Sequence, residues 1–317
     1  MYRICKTAVL IFLLWPVISF AQSSKPAFRL VPLGVLGGVD ESNLSAYMLA
    51  PTHDDNYICL DAGTINYGIQ KAINNKAFTM PVNEVQKKLI KAYFISHGHL
   101  DHLAGMIINS PEDTAKYVYG LNTTIGTLKT HYFTWQSWAN FADEGEVPKL
   151  NKYHYQILKP GEKIDIANTS MQVQAFPLSH SNLTSTAFLV QSKGSYLLYL
   201  GDTGADRMER SENMHQLWQA VAPLVRSKAL KAIMIEVSFP DEQPDKSLFG
   251  HLTPRLLMQE MAELQTLAGV PLKGLNVVIT HLKPPYNKIA RIKEQLHERN
   301  KLQLRIMYPQ QGRALNF

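Results

Sequence analysis

The residues with the clearest chemical potential lie within positions 97–102, which contain three histidines and one aspartate. His97 and His99 are separated by one residue, so an extended loop can direct both rings at one ion. Asp101 and His102 are adjacent, and we expect them to open a helix and to face a second ion. Imidazole nitrogen and carboxylate oxygen are usual ligands of Zn²⁺. The spacing therefore predicts a metal site.

Three further residues of the same chemical types follow predicted strands elsewhere in the chain. They are His180, Asp202 and His281, and the intervals from His102 onward are 78, 22 and 79 residues. Intervals of this length exclude a local metal finger. Only a fold that gathers the ends of several strands at one place would bring these side chains together.

The elements that must position these residues alternate between strands and helices. Buried strands are predicted at residues 92–95, 171–176, 196–200 and 276–280, each just before one of the candidate ligands. A helix predicted at residues 211–222 is expected to end at Pro223. The glycine-rich turn at residues 34–43 allows the backbone to approach a ligand closely, although a plain hairpin explains it equally well. Hairpins near both ends indicate two mixed sheets between layers of helices.

The motif H-x-H-x-D-H at residues 97–102 is the hallmark of the metallo-β-lactamase superfamily, which this chain resembles. The longer stretch 97–111 is similar, over fifteen consecutive positions, to the signature of the class II 3′,5′-cyclic-nucleotide phosphodiesterases. The resemblance extends from about Val31 to the C-terminus. It implies a single domain over residues 22–317, a four-layer αββα sandwich of two mixed β-sheets flanked by helices.

The resemblance also implies two metal ions, most simply zinc, each held by three protein ligands of its own. The first set is His97, His99 and His180, and the second set is Asp101, His102 and His281. Asp202 falls where the family has a carboxylate that bridges the two ions and orients the nucleophile. Asp61 falls where the superfamily has a carboxylate that fixes a ligating histidine through its other ring nitrogen. An Asp-x-Gly turn is the alternative explanation of Asp61.

The chemistry implied by the resemblance needs a proton donor as well as metals. Opening a 3′,5′-cyclic phosphate expels the ribose 3′-oxygen, a poor leaving group that needs a proton from a general acid. His251, at a predicted helix start, is the predicted acid, and Glu236, which ends a buried strand, is predicted to orient it. A similar Glu/His pair serves the related metal-dependent RNA-processing phosphodiesterases. The alternative is that His251 binds the phosphate or packs beside the helix cap.

Residues 123–141 are rich in aromatic side chains at partly helical spacing. Such a stripe usually belongs to the core, and the alternative is a substrate wall, because flat aromatic faces stack on nucleobases. Phe133, Trp138 and Asn140 loosely match a segment of the phosphodiesterase family. The resemblance therefore implies a substrate wall at these three positions.

The first residues predict export of the protein. Residues 1–21 combine a basic start, a short apolar run and a small-residue cleavage site, which is typical of a signal peptide removed before Gln22. An uncleaved anchor is the alternative. We therefore expect a periplasmic or secreted protein with no stable membrane insertion.

Cleavage would remove two positive charges and lower the formal net charge from +6 to +4. The sequence has no block of lysine and arginine of the kind that binds nucleic acids. We therefore expect no nucleic-acid polymer as a partner. Cys59 would be the only cysteine of the mature chain, which excludes an internal disulfide.

The resemblance implies a hydrolase that opens the cyclic phosphate of cAMP or cGMP, a small-molecule substrate, to the nucleoside 5′-monophosphate. Two alternatives remain: an acyl or lactone hydrolase of the same fold, and a non-catalytic metal-binding protein. The sequence does not distinguish cAMP from cGMP. It also leaves the oligomeric state open, with a homodimer among the possibilities.

Overall fold

Two seven-stranded sheets form the centre of the molecule, and the computed structural model describes residues 1–2 and 25–317. Apart from its first two positions, the predicted signal peptide lies outside these residues. The strands are β1 (Phe28–Gly34), β2 (Ala46–Pro51), β3 (Tyr57–Ala62), β4 (Ile90–Phe94), β5 (Lys116–Leu121), β6 (Tyr153–Leu158), β7 (Lys163–Asp165), β8 (Gln172–His180), β9 (Leu183–Ser192), β10 (Ser195–Leu200), β11 (Leu230–Glu236), β12 (Asn276–Thr280), β13 (Arg305–Met307) and β14 (Leu315–Asn316).

Helices connect these strands and cover the outer faces of the sheets. They are α1 (Asn66–Asn74), α2 (Val82–Glu84), α3 (Ala104–Asn109), α4 (Asn122–Thr127), α5 (Asp206–Glu209), α6 (Asn213–Arg226), α7 (Pro254–Ala268) and α8 (Tyr286–Arg299). Single π-helical segments occur at Val85–Leu89 and Leu128–Tyr132, and 3₁₀ turns at Leu100–His102 and Asp245–Ser247. Within residues 1–2 and 25–317, no helix is both long enough and apolar enough to cross a bilayer.

Both sheets mix parallel and antiparallel pairs. The first sheet has the order β14-β1-β2-β3-β4-β5-β6 and the second the order β13-β12-β11-β10-β9-β8-β7. Strands β3 to β6 pair in parallel, as do β10 to β13, whereas the hairpin strands on the other side of each sheet pair antiparallel. Antiparallel hairpins occur near the N-terminus, in β1–β3, and in the middle of the chain, in β7–β10. The prediction of a hairpin near the C-terminal end is wrong, because β12 and β13 pair in parallel.

Three apolar layers hold the sandwich together. Side chains of the two sheets meet in the middle layer, where Phe94 of β4 packs edge-on against Phe188 of β9 with ring centroids 5.4 Å apart. Outer layers join the first sheet to helices such as α1, through Ile69, and the second sheet to α6 and α7, through Trp218 and Leu257. The predicted four-layer αββα architecture is therefore confirmed.

One predicted helix boundary is wrong. Helix α6 continues through Pro223 and ends at Arg226. Proline lacks the N–H that would bond to the carbonyl four residues earlier, but the backbone N–H of Ser227 still donates to the Pro223 carbonyl at 3.1 Å. Burial of Val221 and Ala222 keeps this last turn against the second sheet.

The strands that precede the candidate ligands end at the same edge of the second sheet. Strands β10, β11 and β12 are mutually parallel. Strand β8 runs in the same direction as β10 because both pair antiparallel with β9. The carboxyl ends of four strands are therefore adjacent, which gathers side chains that are far apart in sequence.

The fifth strand end comes from the first sheet. The carbonyl of Ser96, just after β4, accepts a hydrogen bond from Thr186 Oγ1 of β9 at 2.8 Å. A Cβ at Gly201 would lie 2.4 Å from the Cβ of Ser96, so glycine at position 201 lets the two sheets approach closely. This contact brings the loop that carries His97 to the edge of the second sheet.

Candidate functional site

The first predicted set of ligands converges on one carboxylate. The Nε2 atoms of His97 and His180 each lie 3.8 Å from Asp202 Oδ2. His99 completes the group, since its Nδ1 is 3.4 Å from His180 Nε2. One ligand atom from each of these four residues lies within 4.8 Å of the others. The arrangement has the donor number and the chemistry of a tetrahedral zinc site.

The second predicted set forms a neighbouring group. His281 Nε2 is 3.1 Å from Asp101 Oδ2, and His102 Nε2 is 3.9 Å from the same oxygen. Asp202 borders this group too, with Oδ1 3.2 Å from His102 Nε2 and Oδ2 3.2 Å from His281 Nε2. The structure therefore brings all seven predicted ligands together, with Asp202 between the two groups.

The donor atoms suit a bound cation. Among the residues that the structure describes, the buried Nε2 atom of His97 has no hydrogen-bond partner, and that of His102 has only the Asp202 oxygen 3.2 Å away. An unpaired polar atom is costly in a protein interior, and both atoms point at the carboxylate of Asp202. A divalent ion in each group would satisfy them, so these residues fit the metals that the sequence predicts.

Hydrogen bonds on the opposite ring nitrogens fix the orientation of the imidazoles. His102 Nδ1 lies 2.7 Å from Asp61 Oδ2, and His180 Nδ1 donates to the Gly250 carbonyl at 2.8 Å. His281 Nδ1 is 2.9 Å from Ser238 Oγ. Each of these bonds leaves Nε2 free to face the centre of the site, which is how proteins usually hold metal-binding histidines.

Asp61 occupies the place that the sequence predicts for an orienting carboxylate. It also accepts hydrogen bonds from the Ser96 backbone N–H at 2.7 Å, from Ser96 Oγ at 2.8 Å and from Tyr199 Oη at 2.5 Å. The backbone of Asp61 has a φ of 53° and that of His281 a φ of 55°. Left-handed backbone at residues other than glycine is uncommon and often marks functional sites.

Burial keeps the first set of imidazoles neutral. It lowers the pKa of His97 well below the usual range of histidine. It also lowers the pKa of His180 to about 4 and lowers the pKa of His99. A neutral imidazole is the form that binds a metal, so this set is ready to coordinate at neutral pH.

The carboxylates dominate the second group. Burial opposes the charged form of His102, but the charges of Asp202 and Asp61 outweigh it and raise the pKa of His102. Burial also opposes ionisation of Asp202, but His102 and His281 outweigh that effect and lower its pKa. Asp202 is therefore an anion at neutral pH, and a cation bound beside it would displace the proton of His102.

The predicted acid and its orienting partner are in direct contact. His251 Nδ1 donates to Glu236 Oε1 at 2.6 Å, and Ser238 Oγ donates to Glu236 Oε2 at 2.6 Å. Glu236 is fully buried and His251 is 4% exposed. Nδ1 also lies 3.9 Å from Asp202 Oδ2, and the ring lines the cavity that contains Asp202.

Lys283 is a site residue that the sequence reasoning missed. Its Nζ donates to His251 Nε2 at 2.8 Å and lies 5.4 Å from the ring centroid of Phe239. Its position two residues after His281 is the only signal in the sequence. A cation at this place is suited to contact an anionic substrate.

The glycine-rich turn belongs to the site. A Cβ at Gly37 would lie 2.3 Å from Cε1 of His281, so only glycine fits there. The next residue, Gly38, donates its backbone N–H to Asp101 Oδ2 at 2.8 Å. The turn is thus more than a plain hairpin, because it packs against one candidate ligand and orients another.

The predicted substrate wall is not supported by the burial of its three residues. Phe133 is fully buried against the core of the first sheet, and Trp138 packs beside it and donates Nε1–H to Ser110 Oγ at 3.1 Å. Asn140, also fully buried, donates to the carbonyls of Glu144 and Glu146. These side chains have packing and loop-anchoring roles, and the core interpretation of the aromatic stripe applies.

A cavity of about 570 Å³ opens beside the two groups. Its size is typical of sites for small molecules. Charged side chains and side chains that could bind a metal form one part of its lining, and exposed apolar side chains form another. The lining includes His99, Asp101, His180, Asp202, His251 and Lys283 on the polar part and Val39, Leu100 and Phe249 on the apolar part.

Solved structures with the same fold define the class of protein. The structure of unliganded yeast PDE1 matches 92% of this chain and 100% of its own with a TM-score of 0.80 and 24% sequence identity. The metallo-β-lactamase fold protein YhfI from Bacillus subtilis matches 92% of this chain and 99% of its own with a TM-score of 0.60 and 15% identity. The chain therefore has the metallo-β-lactamase fold.

Sequence comparisons define the family. The model of the class-II cAMP phosphodiesterases matches residues 28–312. A 3′,5′-cyclic-nucleotide phosphodiesterase of Aliivibrio fischeri is 44% identical over 98% of this chain and 99% of its own length. Another, from Schizosaccharomyces pombe, is 30% identical over 92% of this chain and 93% of its own.

The chain belongs to the class-II cAMP phosphodiesterase family. The predictions that the chain belongs to this family and that it is an enzyme are confirmed. The comparisons give no support to a homodimer.

Proposed function

We propose that this chain is a binuclear-metal hydrolase that opens the 3′,5′-cyclic phosphate of cAMP and cGMP to the nucleoside 5′-monophosphate. The observation that carries the proposal is that His251, held from behind by the buried Glu236, lines the same cavity as Asp202, which lies close to both ligand groups. Two groups of metal ligands alone are also compatible with acyl hydrolysis. A buried, oriented imidazole indicates a cyclic phosphate instead, because its poor leaving group needs a proton from a general acid.

The two metal sites are formed by the residues described above. His97, His99 and His180 would hold one ion, Asp101, His102 and His281 the other, and Asp202 both. Imidazole and carboxylate ligands favour zinc. Two ions bound there would polarise the phosphoryl oxygens and lower the pKa of a bound water.

The side chains of the cavity have separate tasks in the reaction. A water gives one proton to solvent as its oxygen forms a bond to phosphorus, the bond from phosphorus to O3′ breaks, and O5′ stays on the phosphate. His251 gives the proton on Nε2 to O3′, which leaves as the free 3′-hydroxyl. Glu236 holds the ring through Nδ1. Nε2 must carry a proton in this step, so the Nζ of Lys283, which donates to Nε2 at 2.8 Å in the free site, contacts the phosphate instead once substrate is bound.

A turnover panel tests the proposed function against its alternatives. We expect hydrolysis of cAMP, cGMP and bis(p-nitrophenyl) phosphate, with little or no hydrolysis of nitrocefin or of a lactone. Hydrolysis of nitrocefin or the lactone without the cyclic nucleotides would identify an acyl hydrolase. Tight metal binding without turnover of any of the five compounds would identify a metal-binding protein.

Metal content is a separate prediction. Protein purified without chelator should contain about two zinc ions per chain, because seven ligands form two groups that share one carboxylate. Elemental analysis measures this directly. Fewer than about one tightly bound metal per chain would contradict the binuclear site.

We also propose that the protein is exported and that its mature form begins near Gln22. The basic start and short apolar run of residues 1–21 support this proposal. N-terminal sequencing of protein released by periplasmic extraction should begin near Gln22. Membrane-bound material that begins at Met1 would instead indicate an uncleaved anchor.

A further inference from the structure

Three exposed apolar side chains surround the cavity, each from a different loop. Val39 is 86% exposed, Leu100 61% and Phe249 67%, and all three line the cavity that contains Asp202 and His251. A single exposed apolar residue is ordinary, but a group at the rim of a polar cleft marks a contact surface.

The backbone fixes Phe249 beside the catalytic groups. Phe249 has a φ of 51°, and such left-handed backbone at a bulky residue is rare. The turn is held by the N–H of His251, which donates to the Leu248 carbonyl at 3.1 Å. The Gly250 carbonyl accepts from His180 Nδ1 at 2.8 Å. Phe249 is thus exposed on the same hydrogen-bonded segment that carries the candidate acid.

The other two side chains also belong to segments that adjoin candidate ligands. Val39 follows Gly38, whose N–H donates to Asp101 Oδ2 at 2.8 Å. Leu100 lies between His99 and Asp101 in the chain. The positions of all three apolar side chains are therefore tied to the candidate metal ligands.

The chemistry of the proposed reaction indicates which part of the substrate meets these side chains. The leaving O3′ must reach His251, and O3′ belongs to the ribose that carries the nucleobase. The nucleobase therefore lies in the cavity that contains His251. A second cavity of about 430 Å³ borders His97 and His99, but its lining does not include His251.

We propose that Val39, Leu100 and Phe249 form a clamp for the nucleobase, with Phe249 stacked on its flat face. This inference rests on the proposed function. Every base has a π-face, so stacking of this kind accepts adenine and guanine alike. The phosphate end is bound by the polar part of the cavity, and the apolar part binds the base.

The experiment compares substrates with and without a base. For Phe249→Ala, we expect KM for cAMP to rise by about 5- to 150-fold, the range of base–aromatic stacking, with a much smaller change in kcat. KM for ribose 3′,5′-cyclic phosphate should stay unchanged. Phe249→Tyr should retain the wild-type KM for cAMP, and Tyr67→Ala, at an exposed aromatic on α1, should have no effect.

Binding of products tests the clamp without relying on turnover. Calorimetry should show that Phe249→Ala weakens 5′-AMP by a similar factor and leaves ribose 5-phosphate unaffected. An equal loss with and without the base would overturn the clamp and assign Phe249 to positioning of His251. Unchanged values for 5′-AMP and cAMP would place the base elsewhere. Wild-type protein that binds 5′-AMP through Phe249 but hydrolyses no cyclic nucleotide would refute the proposed function alone.

Discussion

Replacing Asp202 with alanine is expected to abolish hydrolysis of cAMP and cGMP and to leave the fold intact. Its two carboxylate oxygens lie 3.2 Å from Nε2 of His102 and of His281 and 3.8 Å from Nε2 of His97 and of His180. Its removal takes away the anion that the two ions would share.

The fold should tolerate this change because Asp202 is surrounded by imidazoles and packs outside the three apolar layers. Elemental analysis, circular dichroism and the initial rate of hydrolysis measure the three expected results: less bound metal, an unchanged spectrum and no turnover. Asp55→Ala, at an exposed aspartate in the turn between β2 and β3, is the matched control. Wild-type turnover in Asp202→Ala would remove Asp202 from the proposed mechanism.

The second large effect is expected from His251→Ala, and its size should depend on the leaving group. With cAMP the rate should fall by at least about 10²-fold, because the expelled O3′ needs a proton. With bis(p-nitrophenyl) phosphate the loss should be much smaller, because nitrophenolate leaves without one. The contact of Glu236 with His251 Nδ1 predicts that Glu236→Gln shows the same substrate dependence.

Equal losses on the two substrates would mean that His251 binds the phosphate and does not act as the acid. Lys283→Met serves as a comparison, since loss of a phosphate contact should affect both substrates alike. His297→Ala, at an exposed histidine in α8, controls for substitution of histidine itself. The ratio of the two rates for each variant is therefore the quantity to measure.

The sequence by itself predicted the candidate ligand set, with the help of the family resemblance, and determined the general architecture. The motif at residues 97–102 is local, so its spacing can be read without a structure. His180, Asp202 and His281 could be added because each follows an apolar strand, and strands that run in the same direction end at one edge of a sheet. The αββα sandwich was predicted from the alternation of strands and helices and from the hairpins expected near both ends. Both patterns can be read from local sequence.

The tertiary structure alone decided which aromatic and charged side chains reach the cavity. Phe133, Trp138 and Asn140 have types that suit a substrate wall, but packing against the first sheet buries or anchors them. The contact between Lys283 and His251 and the shared cavity of Val39, Leu100 and Phe249 join separate loops. Such contacts depend on how distant loops pack, and residue type or local periodicity does not encode that packing.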